Sequence, residues 1–225
     1  LEAAREQMIS QQLRTWHVLD ENVLRTMADV PREKFLSLAY QGLAFADASV
    51  PIGHDQVMLP PKIQGRLLQA LALTRDDAVL DVGTGTGFLA ACLARMAAQV
   101  HSIDIVPDFT KTAKTPLTDM GVRHVTVETA DAMAHQISRQ YDAIAITAAL
   151  PVYQDRFEEL LAPGGRMFVV VGTSPIRGFC AWCGTSCLPP RRNGWGFVQA
   201  TTWCAAAYWP CPPSSAGGSS IPRPT

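Results

Sequence analysis

The chain has 225 residues, 48% of them hydrophobic, enough for one sizeable domain and short for two. Its formal charge of -1 excludes an electrostatic case for nucleic acid or for an anionic membrane surface. No apolar run approaches the ~18 residues of a membrane span, and the polar start Leu1-Glu2-Ala3-Ala4-Arg5-Glu6 lacks the features of a secretory signal, so a cytoplasmic enzyme is expected.

The N-terminal region, residues 1–45, reads helical. Met8 and Leu13 give it an apolar stripe. Asp20 is a suitable N-cap for a short helix through Val23, Leu24 and Met27, and Pro31 marks its end. These pieces are expected to cover one edge of the core that follows. From residue 62 to 172 the periodicity alternates. Ile63–Leu73 is helical, Ala78–Val82 a strand and Phe88–Met96 a helix. Val100–Ile105 is a strand, Phe109–Met120 a helix interrupted at Pro116, and Val125–Glu128 a strand. Tyr141–Thr147 is a central strand, Tyr153–Leu161 a helix, and Pro163-Gly164-Gly165 a turn into the strand Arg166–Val171. Repeated β-α alternation with short connections implies an α/β fold with a doubly wound, mostly parallel sheet and an N-terminal helical extension.

The segment Val79-Leu80-Asp81-Val82-Gly83-Thr84-Gly85-Thr86-Gly87-Phe88-Leu89 is a strand entering a glycine-rich turn and then a helix. Such a turn brings backbone N–H groups close to an adenosine-containing ligand. A dinucleotide fingerprint reads G-x-G-x-x-G. Here Phe88 takes the place of the last glycine, which argues against an NAD-linked oxidoreductase. The G-x-G-x-G run resembles motif I of class I S-adenosylmethionine-dependent methyltransferases, whose sheet is Rossmann-like. A turn kept for conformational reasons alone is the other reading.

Four strand ends fit one ligand. Asp104 follows an apolar strand ~20 residues beyond the first glycines, where a carboxylate can accept both ribose hydroxyls. A solvated strand-end carboxylate is the alternative. Asp131 resembles the acid that binds the adenine amino group in this superfamily, and is equally a turn residue or N-cap. Ile105 and Ala132 belong to the same expected adenosine site. Asp81 is expected to orient the amino end of the cofactor through water. Thr147 ends the strand where a methyltransferase places its reaction centre, whereas Asp142 opens that strand in a structural role.

Ala44-Phe45-Ala46-Asp47-Ala48-Ser49-Val50-Pro51-Ile52-Gly53-His54-Asp55-Gln56 looks like the segment leading into the substrate loop of protein-L-isoaspartate O-methyltransferases. Met8-Ile9-Ser10-Gln11-Gln12-Leu13 and Ala162-Pro163-Gly164-Gly165 match as well, so the resemblance spans roughly residues 5–172. It implies methylation of the α-carboxylate of isoaspartyl residues in damaged proteins, S-adenosylmethionine as cofactor, and a cytosolic monomer or weak dimer with protein or peptide substrates. His54, Gln56, Leu59 and Lys62 are the implied substrate-side residues, and no metal is implied. Where the family usually reads Thr-Ile-Ser-x-Pro-His after the glutamine, this chain reads Val57-Met58-Leu59-Pro60-Pro61-Lys62. Leu59 replaces the family's serine, so no catalytic residue is assigned. Leucine cannot donate a hydrogen bond to a carboxylate. Lys62 either attracts one as a point charge or is an exposed helix-start residue. A homologue that binds a nucleoside without turnover, or one with a different acceptor, is the competing reading.

Residues 173–225 change character. There is no Asp or Glu after Glu159, and Cys180, Cys183, Cys187, Cys204 and Cys211 all fall here, leaving Cys92 as the one cysteine of the domain. The spacing fits zinc poorly, and disulfides conflict with a cytoplasmic enzyme. A shifted reading frame is favoured, with Ser214–Ser220 disordered and Phe197–Tyr208 the one stretch able to pair as a strand. Loss of the last strands would leave an unpaired sheet edge.

Overall fold

The computed structural model describes residues 1–135, 137–172 and the backbone of 178–183. Helix α1 (Glu2–Gln7) widens into a π-helical stretch, Met8–Leu13, and then tightens into a 3-10 turn that His17 ends in the left-handed region. Helix α2 (Glu21–Asp29) starts as the sequence requires: Asp20 Oδ1 accepts the Asn22 and Val23 N–H groups at 2.8 and 3.0 Å. Its buried face is Val23, Leu24, Thr26 and Met27.

Strands β1 (Val50–Gly53) and β2 (Gln56–Met58) form a separate antiparallel hairpin. Its two central residues, His54 and Asp55, have φ of 50° and 55°. That is the two-residue geometry that usually selects Asn-Gly, here imposed on side chains that adopt it at a cost. Then come α3 (Pro61–Leu71), β3 (Ala78–Val82), α4 (Phe88–Met96), β4 (Gln99–Asp104), α5 (Pro107–Asp119) and β5 (Val125–Thr129). The chain ends its described part with β6 (Tyr141–Leu150), α6 (Arg156–Glu159), β7 (Leu161–Val171) and β8 (Gly178–Cys183).

The main sheet runs β5-β4-β3-β6-β7-β8, with the first five strands parallel and β8 antiparallel to β7. Alternate residues feed two apolar layers. Val79, Val100, Ala143, Ala145, Phe168 and Val170 share one cluster with α4 and the N-terminal helices. Leu80, Val82, Ile103, Ile144, Ile146, Met167 and Val169 share the other with Phe157 of α6. Burial on both faces is why these strands read as near-continuous apolar runs. Chain order reverses between β3 and its neighbours β4 and β6, the switch point where open α/β sheets bind ligands.

Several expectations need correction. The N-terminal helices pack with α3 and α4 over a face of the sheet, not along an edge. Pro116 does not interrupt α5. It forfeits one backbone bond close to the helix end, while buried Leu117 anchors that turn and the Thr118 hydroxyl donates to the Lys114 carbonyl at 2.7 Å. The helix expected over Tyr153–Leu161 shrinks to α6, because Leu161 joins the sheet opposite Tyr141. The Pro163-Gly164-Gly165 turn then becomes a bulge inside β7, whose pairing resumes at Arg166 opposite Ala143. Strand β8 pairs with β7, so Phe197–Tyr208 is not the one stretch after residue 172 able to pair as a strand. Phe197–Tyr208 and Ser214–Ser220 lie outside the described residues, as do Cys187, Cys204 and Cys211.

Candidate active site

The carboxyl ends of β3, β4 and β6 converge on the glycine turn. Gly83 and Gly87 have φ of 107° and 86°. A Cβ at Gly83 would stand 2.6 Å from the Ala148 nitrogen and 2.9 Å from Thr147 Oγ1, and one at Gly87 would stand 2.8 Å from Ala113 Cβ. These two glycines therefore let the turn press against the end of β6 and against α5. Gly85 differs: its nearest neighbour would be Ile52 Cδ1 of β1, at 3.4 Å. One side of the turn is thus kept open to a ligand and roofed by the hairpin.

Asp104 organises that turn. Its Oδ2 accepts the Gly85 N–H at 2.9 Å and its Oδ1 accepts the Val106 N–H at 3.0 Å. Each oxygen keeps a lone pair for a further donor. Beneath it, Ser102 Oγ donates to Asp81 Oδ2 at 2.7 Å and lies 2.7 Å from Thr84 Oγ1. Asp81 is fully buried, and its Oδ1 has no hydrogen-bond partner among the described residues. Burial pushes its carboxyl up to about 7, the Ser102 hydroxyl opposes this, and the Asp104 charge adds to it. A buried carboxylate oxygen left without a partner there is open to a donor from a bound ligand.

Thr147 Oγ1 donates to the Gly83 carbonyl at 3.1 Å, which joins β6 to the turn. Asp142 Oδ2 accepts the Ala78 N–H at 2.8 Å and closes the start of β3, the structural role expected of it. Asp131 is exposed, and its Oδ1 accepts the Met133 N–H at 2.8 Å, so it does serve as a turn residue. Ala132 packs on the second apolar cluster, and Ile105 is 66% exposed at the end of β4.

On the acceptor side, Leu59 is half-buried at the foot of the hairpin and presents no polar atom beyond its backbone. His54 Nε2 lies 2.9 Å from Asp108 Oδ2, and its ring stands edge-on to Phe109 at 5.3 Å. Gln56 is exposed and donates to the His54 carbonyl at 3.3 Å. Lys62 is neither a bare helix-start residue nor a waiting point charge. Its ammonium lies 2.8 Å from Asp47 Oδ2 and 4.1 Å from the centre of the Trp16 ring. A groove of about 850 Å³ runs from Gly85 and Thr86 past His54, Tyr40 and Phe109.

The sequence does not single out Ser102 or Asp108, and it places Thr84 in the cofactor turn without its contact to Ser102. Thr84 and Ser102 sit inside named elements, but nothing in a single sequence marks a hydroxyl as the partner of a buried acid. Among the described residues, no group of His, Cys, Asp and Glu could hold a metal ion.

A parallel sheet with a glycine cradle, a strand-end acid on the turn and an unpaired buried carboxylate fits S-adenosylmethionine and defines a class I methyltransferase. The sequence pattern of the protein-L-isoaspartate(D-aspartate) O-methyltransferase family matches residues 3–178. The protein-L-isoaspartate O-methyltransferase of Gloeobacter violaceus is 38% identical over 167 residues, 74% of this chain and 82% of its own length. That of Koribacter versatilis is 38% identical over 176 residues, 77% of this chain and 78% of its own. The chain belongs to the protein-L-isoaspartate O-methyltransferase family. Its fold is also that of a Plasmodium falciparum protein described as a protein-L-isoaspartate O-methyltransferase and crystallised with S-adenosyl-L-homocysteine. The TM-score is 0.67 at 18% identity, over 79% of this chain and 88% of that one.

Proposed function

We propose that this chain is an S-adenosylmethionine-dependent carboxyl methyltransferase that acts on isoaspartyl residues of damaged proteins and peptides, through an acceptor slot altered at Leu59. The observation that carries the reading is the seat of the hairpin over the cofactor turn, with Ile52 Cδ1 3.4 Å from the Cβ position of Gly85. The family's acceptor segment therefore stands beside the donor cradle.

On this reading Asp104 accepts the ribose hydroxyls with the lone pairs that Gly85 and Val106 leave free. Ile105 offers an apolar face to the adenine, with Asp131 and Ala132 at its edge. Asp81, behind Gly83, Thr84, Gly85 and Gly87, answers the cationic amino end. Thr147 borders the reacting centre. Bound S-adenosylmethionine supplies a methyl group on a sulfonium, and an acceptor carboxylate ionised at neutral pH takes it without a strong base. The protein's task is to hold the acceptor in line and exclude water. His54 and Gln56 shape the hairpin, and Leu59 lines the slot without donating to the carboxylate. The methyltransferase unit comprises residues 1–172 together with β8, which completes its sheet. The chain acts in the cytoplasm as a monomer or weak dimer and needs no nucleic acid. Among the described residues no helix is long and apolar enough to cross a membrane.

Methyl-ester formation on an isoaspartyl peptide, compared with its aspartyl twin, tests the reading. Esterification of the isoaspartyl peptide alone is expected. Equal labelling of both would move the acceptor elsewhere. Leu59 itself favours a second reading, a nucleoside-binding homologue without turnover, which S-adenosylhomocysteine binding with no ester on either peptide would establish.

A further inference from the structure

Arg32 is the largest fully buried side chain among the described residues, and none of their carboxylates pairs with it; its three side-chain bonds all go to carbonyl oxygens. Removing a guanidinium from water without a counter-ion is expensive, and an apolar side chain of similar volume is usually cheaper. The donors of Arg32 show what that cost secures. Nε donates to the Ala44 carbonyl at 2.7 Å, Nη2 donates to the Leu59 carbonyl at 2.7 Å, and Nη1 donates to Gln64 Oε1 of α3. Ala44 and Leu59 are the two feet of the segment that carries the hairpin. One rigid, planar fork thus fixes both.

The guanidinium also stacks on the ring of Phe88, 4.8 Å from its centre. Phe88 is the first residue of α4 and follows Gly87 of the glycine turn directly. It occupies the place where a dinucleotide fingerprint has its last glycine. In this chain that position is a platform beneath a buried cation.

We infer that Arg32 is a positioning residue that sets the register of the acceptor hairpin against the cofactor turn, acting through the Ala44 and Leu59 carbonyls and the Phe88 ring. The inference rests on the hairpin being the acceptor side of the reaction. A lysine there could reach one carbonyl as a point charge but could not span both feet. Methionine would fill the volume and hold neither.

The test compares the unmodified chain with Arg32→Lys and Arg32→Met by amide hydrogen exchange, S-adenosylhomocysteine titration and methylation kinetics on an isoaspartyl peptide. Exchange across residues 50–58 is expected to quicken at least ~tenfold in both variants while α4 keeps its protection. Affinity for S-adenosylhomocysteine should stay within about twofold, and the peptide KM should rise by roughly tenfold or more. Unchanged exchange at 50–58, equal loosening of α3 and α4, or unfolding of both variants overturns the inference. Selective loosening in a chain that esterifies no peptide would refute the proposed activity and leave the clamp standing.

Discussion

Lys62 Nζ lies 2.8 Å from Asp47 Oδ2, in a pair whose side chains are 17% and 39% exposed. The same ammonium sits over the Trp16 ring. The lysine that takes the place of the family's histidine is therefore engaged in joining the start of α3 to the segment before the hairpin and to the N-terminal helices. Lys62→Gln should lower stability by about 1 kcal/mol, given partial exposure and a single ion pair with a cation–π contact. The isoaspartyl-peptide KM should change little. Thermal melts beside Michaelis–Menten curves check this, and a large rise in KM with an unchanged melt would return Lys62 to the acceptor site.

The three glycines of the turn should fail differently. Gly83→Ala places a methyl 2.6 Å from the Ala148 backbone nitrogen, and Gly87→Ala places one 2.8 Å from Ala113 Cβ, both at φ well above zero. Each should cost roughly 2–4 kcal/mol of stability, since a backbone-limited clash adds to left-handed strain. At Gly85 the nearest atom is the flexible end of Ile52, so Gly85→Ala should cost about 1 kcal/mol. Its larger effect should be on cofactor binding, because its methyl projects into the open side of the turn. Denaturant melts and S-adenosylhomocysteine titration of the three variants give the order.

How much of this was legible follows from where each interaction lies along the chain. The parallel core was readable because β3, β4 and β6 are buried on both faces, so their periodicity survives in any context. The Asp20 cap was readable because its partners are two and three residues away. The donor residues came from spacing along strand–turn units. The Ser102–Asp81 bond was hidden, because it joins residues 21 positions apart on neighbouring strands. Arg32 was hidden for a different reason: an arginine reads as a surface residue until three carbonyl groups and a ring are found around it. Strand β8 was unreadable because its residues follow an abrupt change in composition, and only the register with β7 reveals it.

Asp81 should leave a mark on the pH dependence of stability. Its folded carboxyl, raised to about 7, holds a proton that the unfolded chain releases near 3.8. The folded state binds more protons between those values, so this group's contribution is fully present below 3.8 and lost as pH rises toward about 7. Asp81→Asn should remove that slope and leave the variant relatively more stable above pH 7. Melting temperatures from pH 4 to pH 8 test the sign. A slope retained in the variant would assign it to another group.

Asp104 ties Gly85 to Val106 with one carboxylate, so its removal should disturb both shape and binding. Asp104→Ala should weaken S-adenosylhomocysteine at least ~tenfold and cost about 1–3 kcal/mol of stability, since two part-buried N–H donors lose their acceptor. Calorimetry and melts of the same preparation separate the two effects.

The central claim is a complete donor site beside an acceptor slot that lacks a donor at Leu59. It is tested most directly by measuring kcat/KM on one isoaspartyl peptide for the unmodified chain and for Leu59→Ser, with S-adenosylhomocysteine affinity measured in parallel. A serine hydroxyl at that place should raise kcat/KM at least ~tenfold, in keeping with the worth of one hydrogen-bond donor at a reacting carboxylate, while affinity stays within about twofold. A variant no faster than the unmodified chain, at equal cofactor affinity, would contradict the account.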